Sequence, residues 1–258
     1  MTEAVQAWLP TPGTADSNQT FAQWCWSTQI FQSMNMVSEI AWYRRGAGLG
    51  ENNLGSLVWQ LNDIWQGTSW SSIEYSGRWK VLHYGMSGIY TPVVVYPFWT
   101  PENQTLEVLV TSDRWEPVSG RAQLTWYDWK GKELETTTKT FTVPSLNNSV
   151  VLSQSGLNKI LPNGTNPEDA FMLLNVTATV EGKTVTSEQV VSIFCISEQN
   201  FDIDETTVHT SVIGKCYARR PADPCHSQQR LDLDTLRQRR CRCMDLARPP
   251  SRYCWLLR

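Results

Sequence analysis

Apolar positions along the chain change their spacing in the middle, and each spacing predicts a different element. From Asn18 to Arg45, Phe21, Trp24, Cys25, Thr28, Phe31, Met34, Val37 and Ala41 recur three and four residues apart. That spacing predicts an amphipathic helix. Ser17 or Asn18 suits its N-terminal cap, Arg44 and Arg45 suit its negative end, and Gly46 and Gly48 stop it. Before it, Trp8-Leu9-Pro10 and Thr11-Pro12-Gly13-Thr14 read as a loop because of their breakers. Beyond Pro92 the runs shorten and become β-type: Val93–Tyr96, Thr105–Thr111, Ala122–Trp129, Thr136–Val143, Ser149–Leu152, Ala170–Val180 and Lys183–Phe194. Lys130-Gly131-Lys132 and Glu181-Gly182-Lys183 are hairpin signals between neighbouring runs. Seven strands at this spacing predict a β-sandwich over roughly residues 95 to 196.

Between the helix and the strands, Gly55–Tyr84 holds four tryptophans, Trp59, Trp65, Trp70 and Trp79, with Asn62, Asp63 and Glu74 among them. Leu57-Val58-Trp59 is an apolar run followed by polar Gln60, Asn62 and Asp63, the pattern of a buried strand that opens into a loop. In parallel α/β architectures the reactive face is assembled from loops that follow the strands. Sugars suit such a surface: their C–H faces pack on indole rings, and their hydroxyls need fixed partners such as Asn and Asp. The competing reading is that these indoles are core, since a large aromatic contributes burial before specificity. Ser76 or Gly77 to Tyr90 then reads as a second helix, closed by Thr91-Pro92.

The run Trp59-Gln60-Leu61-Asn62-Asp63-Ile64-Trp65, followed by Ser69-Trp70-Ser71, Glu74-Tyr75, Gly77-Arg78-Trp79-Lys80 and Leu82-His83-Tyr84, closely resembles the last barrel strand and following helix of the β-mannosidases of glycoside hydrolase family 2. Gln66-Gly67-Thr68 departs from that pattern, standing where many relatives carry a proline-containing turn. The resemblance implies an α/β plus all-β chain. Residues 1–92 would be the last part of a TIM (β/α)8 barrel, 93–200 an immunoglobulin-like β-sandwich, and 201–258 a disordered tail outside the family.

With 258 residues the chain is long enough for one large or two ordinary domains, whereas a whole enzyme of this family is several times longer. The expectation is therefore a C-terminal fragment. Residues 1–205 carry 11 Lys or Arg against 21 Asp or Glu, and residues 206–258 carry 11 against 4, so the two parts differ in kind. The second holds Cys216, Cys225, Cys241, Cys243 and Cys254. A zinc site there is disfavoured, because Cys241 and Cys243 are one residue apart where tetrahedral ligation uses two to four. Nucleic-acid binding by the Arg237–Arg242 cluster is disfavoured by the lack of interleaved aromatics. The sudden change of composition looks like translation through a shifted frame or an unspliced intron. Membrane partners are not expected, since no run reaches the roughly 18 to 20 apolar residues of a span. No signal peptide is read at the N-terminus. Asn-X-Ser/Thr sequons at Asn18, Asn103, Asn147, Asn163 and Asn175 fit a full-length parent that is secreted, or lysosomal or vacuolar.

The resemblance further implies hydrolysis of terminal, non-reducing β-D-mannose residues with retention, on a β-mannoside or manno-oligosaccharide, with no cofactor and no metal. Retaining enzymes need two carboxyl groups about 5 to 5.5 Å apart. In this family they lie on the fourth and seventh barrel strands, both expected upstream of residue 1, so no catalytic residue is assigned here and activity of the chain by itself is not expected. Asp63 and Glu74 read as structural rather than as a catalytic pair: Asp63 holds the loop or touches a sugar hydroxyl, and Glu74 reaches Arg78 one turn on. Trp59 corresponds to the tryptophan beneath the cleaved sugar, with Trp65, Asn62 and Asp63 as further substrate contacts. Two other classes remain open from the sequence: a carbohydrate-binding or interaction module built on the sandwich, and a non-functional truncated product; a sugar platform of Trp126 and Trp129 is disfavoured, because the odd spacing puts them on opposite faces of a strand.

Overall fold

A computed structural model describes residues 2–9, 11–53 and 55–192; the expectations for residues 201–258 lie outside the described residues. The order of elements is α1 (Thr2–Trp8), α2 (Asn18–Arg45), a short 3-10 turn at Gly46–Gly48, a long connection, α3 (Val81–Ile89), β1 (Val93–Thr100), β2 (Thr105–Ser112), β3 (Val118–Asp128), β4 (Glu133–Val143), β5 (Asn147–Ser155), α4 (Leu157–Ile160), β6 (Ala170–Val180) and β7 (Lys183–Val191).

The long helix starts and stops where its sequence says. Ser17 accepts a hydrogen bond from the Thr20 N–H, and Gly46 closes the far end beyond Arg44 and Arg45. Its burial differs in part from the expected stripe: Ala41 is buried as expected, but Phe21 faces solvent, and Ser33, Ser38, Ile40 and Arg44, outside the stripe, are buried. The covering elements explain this: α1 lays Val5, Trp8 and Leu9 against Trp24, Ile30, Phe31 and Met34. Helix α1 carries no local start or stop signal in the sequence and ends at Trp8, the first residue of the expected loop; tertiary contact with α2 holds it. The second helix packs on α2 through Gly85, where a Cβ would lie 2.5 Å from Ser33 Oγ and 2.8 Å from Val37 Cγ2. It begins at Val81 rather than near Ser76, because residues 72–80 are held by backbone bonds across the loop.

The seven strands form two antiparallel sheets, ordered β1-β2-β5 and β4-β3-β6-β7. Both predicted hairpins are present, joining β3 to β4 and β6 to β7. Between the sheets lies one core that includes Val95, Trp99, Leu106, Val108, Leu124, Trp126, Met172, Leu174 and Val176. Trp126 belongs to that core and cannot serve as a sugar platform.

Strand β1 is covered on both faces, which explains the unbroken run Val93-Val94-Val95-Tyr96-Pro97-Phe98-Trp99. Val93, Val95 and Trp99 enter the sandwich core. Val94, Tyr96 and Phe98, with Leu109 of β2, pack against Ile40, Ala41 and Ile89 of the two helices. A strand buried on both faces loses the polar alternation of a half-exposed one. Burial also pushes the Tyr96 phenol up from its usual range. Pro97 is tolerated because β1 is an edge strand, paired to β2 alone. Arg44 reaches across this junction, donating to the Ile89 carbonyl and pairing with Asp113 at 2.7 Å. Asn148 of β5 donates to the Arg45 carbonyl at 2.7 Å.

Candidate functional site: the tryptophan loop

Residues 55–80 carry the candidate site, and they form a loop rather than the expected strand. Leu57 is fully exposed, Val58 is half-buried against the helix and sheet junction, and no strand pairs with Leu57–Trp59 among the described residues. A parallel strand depends on neighbours for its backbone partners. None of the described strands is placed beside this run, which is why the apolar signal alone does not produce one. The peptide bond between Trp59 and Gln60 is cis.

What organises the loop is backbone pairing around Ile73. Its N–H donates to the Leu61 carbonyl and its carbonyl accepts from the Asp63 N–H, both at 2.9 Å. Ser72 Oγ donates to the Leu61 carbonyl at 2.9 Å and shares a hydrogen bond with His83 Nδ1 at 3.1 Å. Two glutamines of α2 tie the loop down: Gln32 donates to the Trp70 carbonyl, and Gln29 accepts from the Val81 N–H. Glu74 and Arg78 form the expected one-turn ion pair, at 3.8 Å.

Beneath the loop lies a buried polar knot. Asp63 is 6% exposed. One carboxylate oxygen accepts from Ser69 Oγ and the other faces Lys80 Nζ at 3.3 Å. The ammonium also donates to Ser71 Oγ at 2.9 Å and to the Ser69 carbonyl at 3.3 Å, so its three protons all have partners. The Ser69 hydroxyl, with further help from Ser71 and Lys80, holds the Asp63 carboxyl below the usual carboxylate range, against the opposing effect of burial. A carboxylate engaged on both oxygens fixes the loop and is not free for a sugar hydroxyl, so of the two roles open to Asp63 the geometry favours the first. Lys80 was not legible as its partner, since in sequence it stands in a run that reads as helix.

A depressed carboxyl pKa in the folded state means stability that is present above the unfolded value, about 3.9, and is lost as pH falls through the folded value. Asp63→Asn is therefore expected to lower stability at pH 7 and to flatten the acid limb of the stability curve below about pH 4. Denaturant midpoints measured from pH 7 to pH 2.5 check this; parallel curves for the two proteins would remove Asp63 from the acid response.

Above the knot the aromatic side chains stand in solvent. Trp59 is 73% exposed and Trp65 69%, with Trp70, Tyr75, Trp79 and Tyr84 also exposed. Trp79 packs on His83 and Tyr84, with ring centroids 4.3 and 5.4 Å apart. Asn62 is exposed, and its amide donates to the Asp63 carbonyl at 3.1 Å. The indoles are thus not core: the loop presents flat apolar rings and a carboxamide on a base fixed by an ion pair. The sequons divide similarly, with Asn18, Asn103 and Asn163 exposed and Asn147 and Asn175 half-buried in strands.

Comparison with known proteins adds what geometry does not. Residues 104–193 match the Mannosidase Ig/CBM-like domain, so the sandwich is immunoglobulin-like. Beta-mannosidase A of Aspergillus oryzae is 45% identical over 194 residues, covering 73% of this chain and 21% of the relative. The enzyme of the same name from Aspergillus terreus is 44% identical over 182 residues, covering 69% of this chain and 19% of the relative. The likeness reaches well beyond the sandwich, and the chain spans about a fifth of the length of these relatives. Among solved structures, the β-D-mannosidase of Dictyoglomus thermophilum superposes with a TM-score of 0.57 at 18% identity, over 75% of this chain and 22% of that one. The exo-chitosanase of Amycolatopsis orientalis does so with a TM-score of 0.52 at 21% identity, over 73% and 21% of the two chains.

Proposed function

We propose that this chain, a homologue of one part of the β-mannosidases of glycoside hydrolase family 2, forms the wall of a sugar-binding pocket whose reactive carboxylates are supplied by the rest of a longer enzyme. The reaction is hydrolysis of terminal, non-reducing β-D-mannose residues with retention. In this reading residues 1–92 are the C-terminal portion of a (β/α)8 barrel, and 93–200 are the immunoglobulin-like domain that follows. Trp59 packs beneath the cleaved mannose, while Trp65 and Asn62 border it and Asp63 holds the loop from below. The observation that carries the reading is the exposed Trp59 and Trp65 pair on a polar-fixed base, in a chain whose relatives are named β-mannosidases. Both acids of the loop are engaged by cations, Asp63 by Lys80 and Glu74 by Arg78, which supports reactive carboxylates placed elsewhere.

NMR of the first-formed product tests the reaction. The full-length enzyme carrying this stretch is expected to release the β-anomer of mannose from a β-mannoside, and the 258-residue chain by itself is expected to release none. Release of the α-anomer would overturn retention, and turnover by the chain alone would overturn the placement of the acids.

A secreted or vacuolar location accompanies this reading. No helix among the described residues is long and apolar enough to cross a membrane. Expression through a eukaryotic secretory route is expected to place glycans on Asn18, Asn103 and Asn163. Asn147 should stay empty, since its side chain accepts the Asn148 N–H at 2.7 Å. Mass spectrometry after enzymatic deglycosylation reads each site, and full occupancy at Asn147 with none at the exposed three would contradict the pattern.

A further inference from the structure

A cavity of about 360 Å³ opens where the helices meet the sandwich, and none of the four loop tryptophans lines it. Its walls include Arg44 from the end of α2, Asn53 and Ser56 from the connection, Tyr90 after α3, and Asp113 and Trp115 from the β2–β3 turn. The volume falls within the range of small-ligand sites, about 300 to 1,000 Å³. We propose that this cavity is a second saccharide-binding site, separate from the tryptophan loop.

The charges come first. Arg44 is buried; its Nη2 pairs with Asp113 and its Nη1 donates to the Ile89 carbonyl, while its Nε has no partner among the described residues. The one cation and the one carboxylate among those six residues neutralise each other, so the cavity favours a neutral ligand over an anion or a cation. Hydrogen-bonding groups come next. The Tyr90 and Ser56 hydroxyls share a hydrogen bond of 2.7 Å, and Asn53 Oδ1 accepts from the Gly55 N–H at 3.0 Å, which fixes a carboxamide at the rim. The Asp113 carboxylate, paired with Arg44, is half open to solvent.

The third feature is the indole of Trp115, 80% exposed. The turn beneath it is tied at three points: the Trp115 carbonyl accepts from Ser145 Oγ, the Arg114 N–H donates to Ser112 Oγ at 3.2 Å, and the Arg114 carbonyl accepts from the Leu146 N–H at 2.9 Å. An open aromatic face on a tied turn, beside hydroxyl, carboxamide and carboxylate groups, matches a neutral polyhydroxylated ring: C–H face on indole, hydroxyls on the polar rim. The chemistry of the cavity indicates a saccharide; the choice of a manno-oligosaccharide rests on the proposed function.

The test is calorimetric titration of the full 258-residue chain and its variants with β-1,4-linked mannotriose, each protein first checked for an unchanged melting temperature. Trp115→Ala is expected to weaken binding about tenfold. Tyr90→Phe, which keeps the ring and removes the hydroxyl, is expected to weaken it severalfold. Trp59→Ala is expected to leave the site that depends on Trp115 intact. Equal affinity in the wild type and Trp115→Ala, or loss of all binding in Trp59→Ala, overturns the second site. Retained β-mannoside hydrolysis by the full-length enzyme together with either result would leave the proposed function standing and remove this inference alone.

Discussion

Replacing Trp59 with alanine in the full-length enzyme is expected to lower kcat/KM for a β-mannoside about 100-fold, with no change in melting temperature. The two halves of that statement have separate causes. Trp59 is 73% exposed and belongs to none of the three buried clusters, so its removal takes little from the fold. In the pocket proposed above the same indole would be a wall for the sugar ring, and losing it would cost both affinity and alignment of the anomeric carbon. A displacement of about 1 Å is enough for a loss on the order of 100-fold. Trp59→Phe keeps a smaller flat ring and is expected to recover part of the activity. Unchanged kinetics in the alanine variant would take Trp59 out of the site. A fall in melting temperature matching the fall in rate would mark it as structural instead.

Gly120→Ala is expected to be the most damaging of the mild substitutions in the sandwich, costing about 2 kcal/mol. Gly120 lies on β3, opposite Phe141 of β4 and Ala178 of β6, on the inward-facing set that includes Val118, Ala122 and Leu124. A Cβ there would fall 2.7 Å from Phe141 Cζ and 3.1 Å from Ala178 Cα, and would overlap the Thr177 carbonyl oxygen. Two of those three obstacles are backbone, which moves only with the strand. The midpoint of thermal unfolding is expected to drop by about 4 to 8 °C. Gly13→Ala serves as a control, since a Cβ at that position meets nothing within 4 Å. Equal midpoints for both variants would mean that β3 shifts to accept the methyl group.

Much of this molecule can be read from sequence because its signals are local. Helix α2 is marked at both ends by residues that act within one turn, Ser17 and Gly46, and the hairpin after Val180 turns on Glu181-Gly182. Residues 2–8 carry no such punctuation and fold by packing on Trp24 and Phe31. The Leu57-Val58-Trp59 run shows the opposite failure, an apolar signal that needs neighbouring strands to become a strand. At the candidate site the exposed indoles are visible in the sequence as a dense cluster, and Glu74 and Arg78 are found by their spacing. The Asp63 and Lys80 pair is not, because seventeen positions of irregular chain separate the two and only the turn at Ile73 closes that gap. The cavity at Trp115 draws its lining from five separate stretches of chain, and no motif announces it.

Strands β1 and β2 have no free face: one side serves the sandwich core and the other the helices. Cutting the polypeptide near Thr91 would therefore not yield two independent parts. An excised sandwich would leave Val94, Tyr96, Phe98 and Leu109 as a greasy scar, prone to self-association, and excised helices would lose the floor beneath Ile40 and Ile89. Anyone wishing to use the immunoglobulin-like domain as a stand-alone reagent would need to carry α2 and α3 along, or repaint that surface with polar side chains.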